Sequence, residues 1–226
     1  MPHLAAVPTE IPSAIPRGLL SAVPRGLPAA AKKIVERHFR SPATPRWRPG
    51  KALLAPFAAL LVGGCAGIAP PHYAAEKPAL DLPSYFNGTI DGWGMFQKRS
   101  GEVVKRFHVV IDAKWQGDTG VLDEAFSWSD GSKTRRVWTL QRQPDGRYIG
   151  TAADVVGQAV GQVAGNALRW KYVLALDVDG KTWHVDFDDW MFLIDERVML
   201  NRSLMSKWGF ELGAVTLSFT KRQPGS

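Results

Sequence analysis

Between residues 85 and 222 the chain alternates apolar and polar side chains with a period of two. Phe107, Val109 and Ile111 interleave with Arg106, His108 and Asp112, and Val215, Leu217 and Phe219 with Thr216, Ser218 and Thr220. A period of two belongs to half-buried strands. Asp-Gly and Gly-Asn pairs punctuate the runs as hairpin turns. No stretch carries an apolar 3.6 repeat with caps, and residues 203–210 are the best place for a helical turn.

Register follows from the turns, because a slip of one residue moves every side chain to the other face. Asp179-Gly180 as a two-residue turn sets Leu176 against Trp183, Leu174 against Val185 and Tyr172 against Phe187, all on one face. The other face pairs Lys171 with Asp188, Val173 with Asp186 and Ala175 with His184. Gly165-Asn166 as the preceding turn puts Trp170, Tyr172 and Leu174 over Gly161, Ala159 and Gly157. Large over small is how a tightly curved sheet fills its interior. Asp195-Glu196 as a third turn sets Met191 against Leu200 and Asp189 against Arg202. The expected fold is all-β: an antiparallel up-and-down barrel of about eight to ten strands. A two-sheet sandwich is the competing architecture, and the run of sequential hairpins favours the barrel.

Composition changes the picture only when it is split. The net charge of +7 and a basic pI suggest a nucleic-acid or anionic partner. Residues 1–64, however, hold nine Lys+Arg and two acidic residues, while residues 65–226 hold nineteen of each. The barrel region is neutral, so no nucleic-acid partner is expected for it. Ten of the sixteen prolines precede Cys65, and eight of the nine tryptophans follow it. Residues 1–45 therefore read as a disordered extension, or as sequence upstream of the true start, which is expected near Val35 or at another codon before Arg46. The single cysteine excludes an intrachain disulfide framework and a Cys-rich zinc site.

Residues 46–64 carry the parts of a secretory signal: basic Arg46, Arg48 and Lys51, an apolar run over residues 52–62, then small residues. The run is short of the roughly 20 residues that span a bilayer. Val62-Gly63-Gly64-Cys65 resembles the lipobox of bacterial lipoproteins. That resemblance implies Val62, Gly63 and Gly64 as the signal-peptidase recognition segment and Cys65 as the lipidated residue. It also implies a membrane partner through acyl chains on Cys65. Ala66 after the cysteine resembles the pattern sorted to the outer membrane, facing the periplasm. Residues 65–84, rich in Pro and Ala, read as a tether, and residues 85–222 as the barrel domain.

Within that domain, Asp91-Gly92-Trp93-Gly94, Asp154-Val155-Val156-Gly157, Gly165-Asn166-Ala167-Leu168, Phe187-Asp188-Asp189-Trp190-Met191, Asn201-Arg202 and Gly213-Ala214-Val215-Thr216-Leu217 form a set. The set resembles a family of proteobacterial lipoproteins defined by a domain of unknown function. The resemblance implies a lipocalin-like barrel and brings no established activity. The Gly-x-Trp of true lipocalins is missing, because Gly92 and Trp93 are adjacent. A Trp on the first strand and Lys221 or Arg222 on the last would reproduce their Trp–Arg closure.

Chemistry-bearing motifs are sparse. His184, Asp186 and Asp188 share a strand face, but the register turns that face outward beside Lys171, so no metal or cofactor is expected. There is no Gly-x-Ser-x-Gly elbow, Ser-x-x-Lys, phosphate loop or dinucleotide fingerprint, and no catalytic residue is assigned. The informative residues are charges on inward faces. Glu124 shares a side with Leu122, Phe126 and Trp128, and Arg136 shares one with Trp138 and Leu140. A three-residue loop around Gly131 would set Phe126 against Arg136 and Glu124 against Trp138. Glu124, Arg136, Asp189 and Arg202 thus read as paired charges lining the interior or its rim, since charges are seldom buried unpaired.

The candidate ligand-binding set is Glu124, Trp128, Arg136, Trp138, Trp170, Tyr172, Trp183, Asp189 and Arg202. The expectation is a non-catalytic binder of a lipid or another hydrophobic small molecule, with a polar anchor among aromatic walls. Two rivals stand beside it. One is an enzyme on a lipid-like substrate using Glu124 or Asp189 as acid/base. The other is an envelope scaffold with a filled barrel, favoured if the interior holds no cavity above about 300 Å³.

Overall fold

The computed structural model describes residues 67–178 and 180–223. Residues 1–66, including Val62, Gly63, Gly64 and Cys65, lie outside the described residues, as does Asp179. Among the described residues ten strands follow in order: β1 (Gly88–Lys98), β2 (Val103–Gln116), β3 (Thr119–Trp128), β4 (Lys133–Arg142), β5 (Tyr148–Thr151), β6 (Ala159–Ala164), β7 (Ala167–Val178), β8 (Lys181–Leu193), β9 (Val198–Lys207) and β10 (Phe210–Lys221). Each pairs antiparallel with the next, and β1 pairs with β10, so the meander closes into a barrel. Closure leaves no edge strand to protect.

The alternation in the sequence is the alternation of the wall. Phe107, Val109 and Ile111 are buried inside, and so are Val215 and Phe219. The β7–β8 register has Leu176 opposite Trp183 and Tyr172 opposite Phe187, as the Asp-Gly turn predicts. Trp170 lies opposite Gly161. Its ring is so close that a Cβ on Gly161 or on Gly150 would meet it at 2.3 Å. Gly157 does not continue this row. It has a φ of +70° in the β5–β6 connection, and Val155 instead bridges to Leu174.

Three local expectations are corrected. Residues 203–210 contain no helical turn: β9 runs through to Lys207, and Trp208-Gly209, both at positive φ, form the two-residue hairpin turn. The Trp–Arg closure is also not made. Trp93 points outward and stacks on His108 at 5.2 Å, while Arg222 joins Asp91 in two hydrogen bonds of 2.6 and 2.7 Å. Finally, the Pro-rich stretch before the barrel is packed on it. A 3-10 turn (Pro70–Tyr73) sets Tyr73 edge-on against Trp190 and Phe192, at 5.7 and 5.1 Å. Leu80 N–H donates to the Gly165 carbonyl at 2.8 Å.

The short helix α1 (Leu82–Tyr85) follows, capped by the Asp81 carboxylate accepting from Ser84 N–H at 3.0 Å. It carries Leu82, Tyr85 and, just after it, Phe86 into the core, where Phe86 meets Phe219 edge-on at 6.0 Å. The Tyr85 hydroxyl donates to the Arg197 carbonyl at 3.0 Å, and Lys221 Nζ reaches the Ser84 carbonyl. This helix closes the end of the barrel at which β1 begins. Burial of each such large apolar side chain contributes about 1.5–3 kcal/mol.

Candidate functional site

Inward side chains of β1–β4 and β7–β10, with Leu82 and Phe86, line a cavity of about 140 Å³. Ten of the twenty-five lining residues are aromatic, and the rings pack on one another. Trp138 meets Trp170 and Tyr172 edge-on at 5.8 and 5.5 Å, and Tyr172 stacks on Phe187 at 5.1 Å. Trp128 stacks on Phe126 and donates its indole N–H to Thr134 Oγ1 at 2.9 Å. The remaining volume is below the roughly 300 Å³ expected of a lipid-sized pocket. Side chains fill most of this barrel, and by volume alone it meets the condition that favours the filled scaffold.

Against that apolar wall stands one polar cluster. Glu124 on β3 faces Arg136 on β4 across a directly opposed pair, two residues from the register expected, because the loop is 129–131 with Trp128 N–H bonded to the Ser132 carbonyl. Arg136 makes its close contacts elsewhere. Its Nε donates to Asp154 Oδ1 at 3.1 Å and its Nη2 to Oδ2 at 2.6 Å, and Nη1 stands 3.8 Å from Glu124 Oε2. Asp154 comes from the β5–β6 connection, held by Ala175 N–H donating to its carbonyl. On the other side, the Tyr172 hydroxyl donates to Asp189 Oδ2 at 3.2 Å. Asp189 lies opposite Ser203 on β9. That hydroxyl is near enough to lower the Asp189 pKa, yet it makes no hydrogen bond.

Three buried polar atoms of this cluster have no hydrogen-bond partner: Glu124 Oε2, Asp189 Oδ1 and Ser203 Oγ. Asp189 is 6 % exposed and Ser203 2 %. Burial pushes the Glu124 carboxyl up to about 7; Arg136 pulls it down, while Asp154 and Asp189 push it further up. Burial likewise raises Asp189 to about 7, against the lowering pull of Ser203, Tyr172 and Arg136. Desolvation opposes the charge on Arg136, but Asp154 and Glu124 outweigh it and raise its pKa. The Tyr172 hydroxyl is raised by burial and by the neighbouring Asp189 charge. At neutral pH the cluster therefore holds a fixed guanidinium and two carboxyls poised between their acid and base forms.

Seven of the nine residues expected at the site line this cavity: Glu124, Trp128, Arg136, Trp138, Trp170, Tyr172 and Asp189. Trp183 is displaced from it. It sits near the β9–β10 turn, with Lys207 Nζ over its ring at 5.2 Å and Trp208 at 6.5 Å. Arg202 faces outward between Trp190 and Thr216, because the β8–β9 loop is one residue out from the expected turn. The Asp195 carboxylate fixes that loop by accepting from Arg197 and Val198 N–H at 2.8 and 2.7 Å. An Asp opening a turn is the signal that would have placed it. The shift brings Asn201 and Ser203 inside instead, and the sequence reading missed both. It also missed Asp154 as the partner of Arg136. On the outer face His184, Asp186 and Asp188 do alternate as expected; Asp188 is bound by Arg169 at 2.5 Å, with Lys171 at 3.5 Å.

Fold and site together define a closed ten-stranded meander barrel with a small, aromatic-walled, polar-floored interior cavity. The chain belongs to the family described as "Protein of unknown function (DUF3833)", whose sequence profile matches residues 59–221. No curated protein matches the chain. Among solved structures, a de novo designed fluorescence-activating beta barrel is similar at 12% identity with a TM-score of 0.36, over 63% of this chain and 99% of that one.

Proposed function

We propose that the barrel binds a small, amphipathic molecule without transforming it. The observation that carries this reading is the buried trio Glu124 Oε2, Asp189 Oδ1 and Ser203 Oγ, unpartnered at a cavity. Leaving a buried acceptor or donor unsatisfied costs about 1–3 kcal/mol per group. A wall that is otherwise packed with rings gains nothing from such groups as structure. The volume sets the ligand's size: an apolar protein cavity of about 150 Å³ takes benzene, so 140 Å³ suits one ring or its equivalent rather than an enclosed long-chain lipid. Native mass spectrometry of the protein as purified from its own cells, compared with its denatured mass, tests this. A co-purifying compact molecule is expected; a native mass equal to the denatured mass, with no small molecule raising the melting temperature, favours the filled scaffold.

A second reading is favoured by one observation, the two carboxyls near pKa 7, which is where general acid/base groups work best. Turnover of a bound molecule that disappears in Glu124→Gln or Asp189→Asn, with binding retained, would establish it.

We also propose that the barrel is tethered to the outer membrane through acyl chains on Cys65, facing the periplasm. The basic flank, the short apolar run and the small residues before the cysteine support this reading, since two or more acyl chains give stable anchoring. A Cys65→Ser form is expected to leave the membrane fraction and accumulate as precursor; unchanged membrane partition defeats the proposal.

A further inference from the structure

We propose that the interior cavity takes a compact organic cation, a monocyclic or short-chain amine, with its ammonium group between Glu124 and Asp189. This rests on the binding reading above and names the chemistry of the ligand.

Three carboxyls, Glu124, Asp154 and Asp189, share one guanidinium, Arg136. The bidentate contact with Asp154, Nε to Oδ1 at 3.1 Å and Nη2 to Oδ2 at 2.6 Å, uses that guanidinium's best geometry. Glu124 is left with a 3.8 Å approach, too long for a hydrogen bond. Asp189 makes no ion pair at all among the described residues, although it is 6 % exposed. With all three carboxyls ionised the cluster is therefore two positive charges short, and with Asp154 matched to Arg136 both Glu124 and Asp189 lack a cation.

The unpartnered atoms give the second, independent indication. An ionised carboxylate only accepts hydrogen bonds, and Glu124 Oε2 and Asp189 Oδ1 accept none. The group that completes them must donate, and an ammonium carries up to three donors. The Ser203 hydroxyl, also unpartnered, is beside Asp189 to take another. A neutral apolar ligand would leave all three atoms stranded. An anionic one would meet two carboxylates and an arginine that is already engaged.

The walls agree. Trp138, Trp170, Tyr172 and Phe187 present ring faces and edges around the cavity, and ring faces attract a desolvated cation. The rest of the ligand then fills apolar space of about one ring.

The test is calorimetric titration of the full chain near neutral pH with four probes of matched size: benzylamine, benzyl alcohol, toluene and benzoate. Benzylamine is expected to bind tightest, by about tenfold or more over benzyl alcohol, with benzoate silent. A Glu124→Gln, Asp189→Asn double variant is expected to keep toluene binding and lose the preference for the amine. Toluene, benzyl alcohol or benzoate binding as tightly as benzylamine overturns the cation while leaving the binding cavity standing. Silence from all four probes overturns the cavity reading and this inference with it. Should the double variant not fold, the ranking on the unaltered chain decides alone.

Discussion

Replacing Asp189 by Asn should make the barrel more stable at high pH and no more stable at low pH. Asp189 is enclosed by Tyr172 from β7, Ser203 from β9, and the charges of Arg136 and Asp188, and it affects the Glu124 carboxyl in turn. Its pKa of about 7 in the fold stands against about 3.9 in an unfolded chain. The folded state thus holds a proton that the unfolded state releases. Stability from this group is fully present below about pH 4 and is lost as the pH rises through about 7. Taken alone, the difference corresponds to about 4 kcal/mol with the carboxylate ionised. Glu124 sits in the same field and shares that cost, so removing one of the two should recover about 1–3 kcal/mol at pH near 8. The Asn amide keeps an oxygen to accept from the Tyr172 hydroxyl, which limits the loss at low pH. Urea unfolding followed by tryptophan fluorescence at pH about 5 and about 8 reads both ends. Equal pH slopes for Asp189→Asn and the unaltered chain would refute the reasoning.

Arg136→Met strands Glu124 and Asp154 together, so it should cost about 3–5 kcal/mol at neutral pH and less in acid; a pH-independent loss measured by urea midpoint would contradict this. Gly161→Ala drives a Cβ to 2.3 Å from the Trp170 ring, and should cost about 1–3 kcal/mol and alter the near-UV dichroism of the tryptophans. An unchanged spectrum and midpoint would mean that the ring is not there. Arg202→Ala should stay within about 0.5 kcal/mol of the parent, because its side chain faces outward; a large loss by thermal melt would restore the inward register.

Legibility in the sequence varied with how each strand pair is joined. The β7–β8 register was readable because an Asp-Gly turn leaves no freedom between Val178 and Lys181, and twelve pairs then follow. The β8–β9 register was not, because Asp195 anchors a loop through its side chain rather than through a compact two-residue turn. One residue of slip sends Arg202 out and brings Asn201 and Ser203 in. Glu124 and Arg136 were identified as inward by alternation alone, and that survived a two-residue error in register, since an even shift preserves the face. Asp154 was invisible for another reason: it reaches the cluster from a connection, where no periodicity points. The prolines before the barrel mask a segment that docks on it. Leu80, Leu82, Tyr85 and Phe86 are apolar enough to dock, and Pro83 is tolerated in the first turn of a helix.

The central claim is that the interior is built to hold something other than its own side chains. An atomic-resolution crystal structure of the full chain, purified from its own cells without added ligand, tests it most directly. The account predicts a non-water molecule in the cavity, donating hydrogen bonds to Glu124 Oε2 and Asp189 Oδ1. A cavity holding only ordered waters on those atoms, in protein that also binds none of the four ring-sized probes, would contradict it.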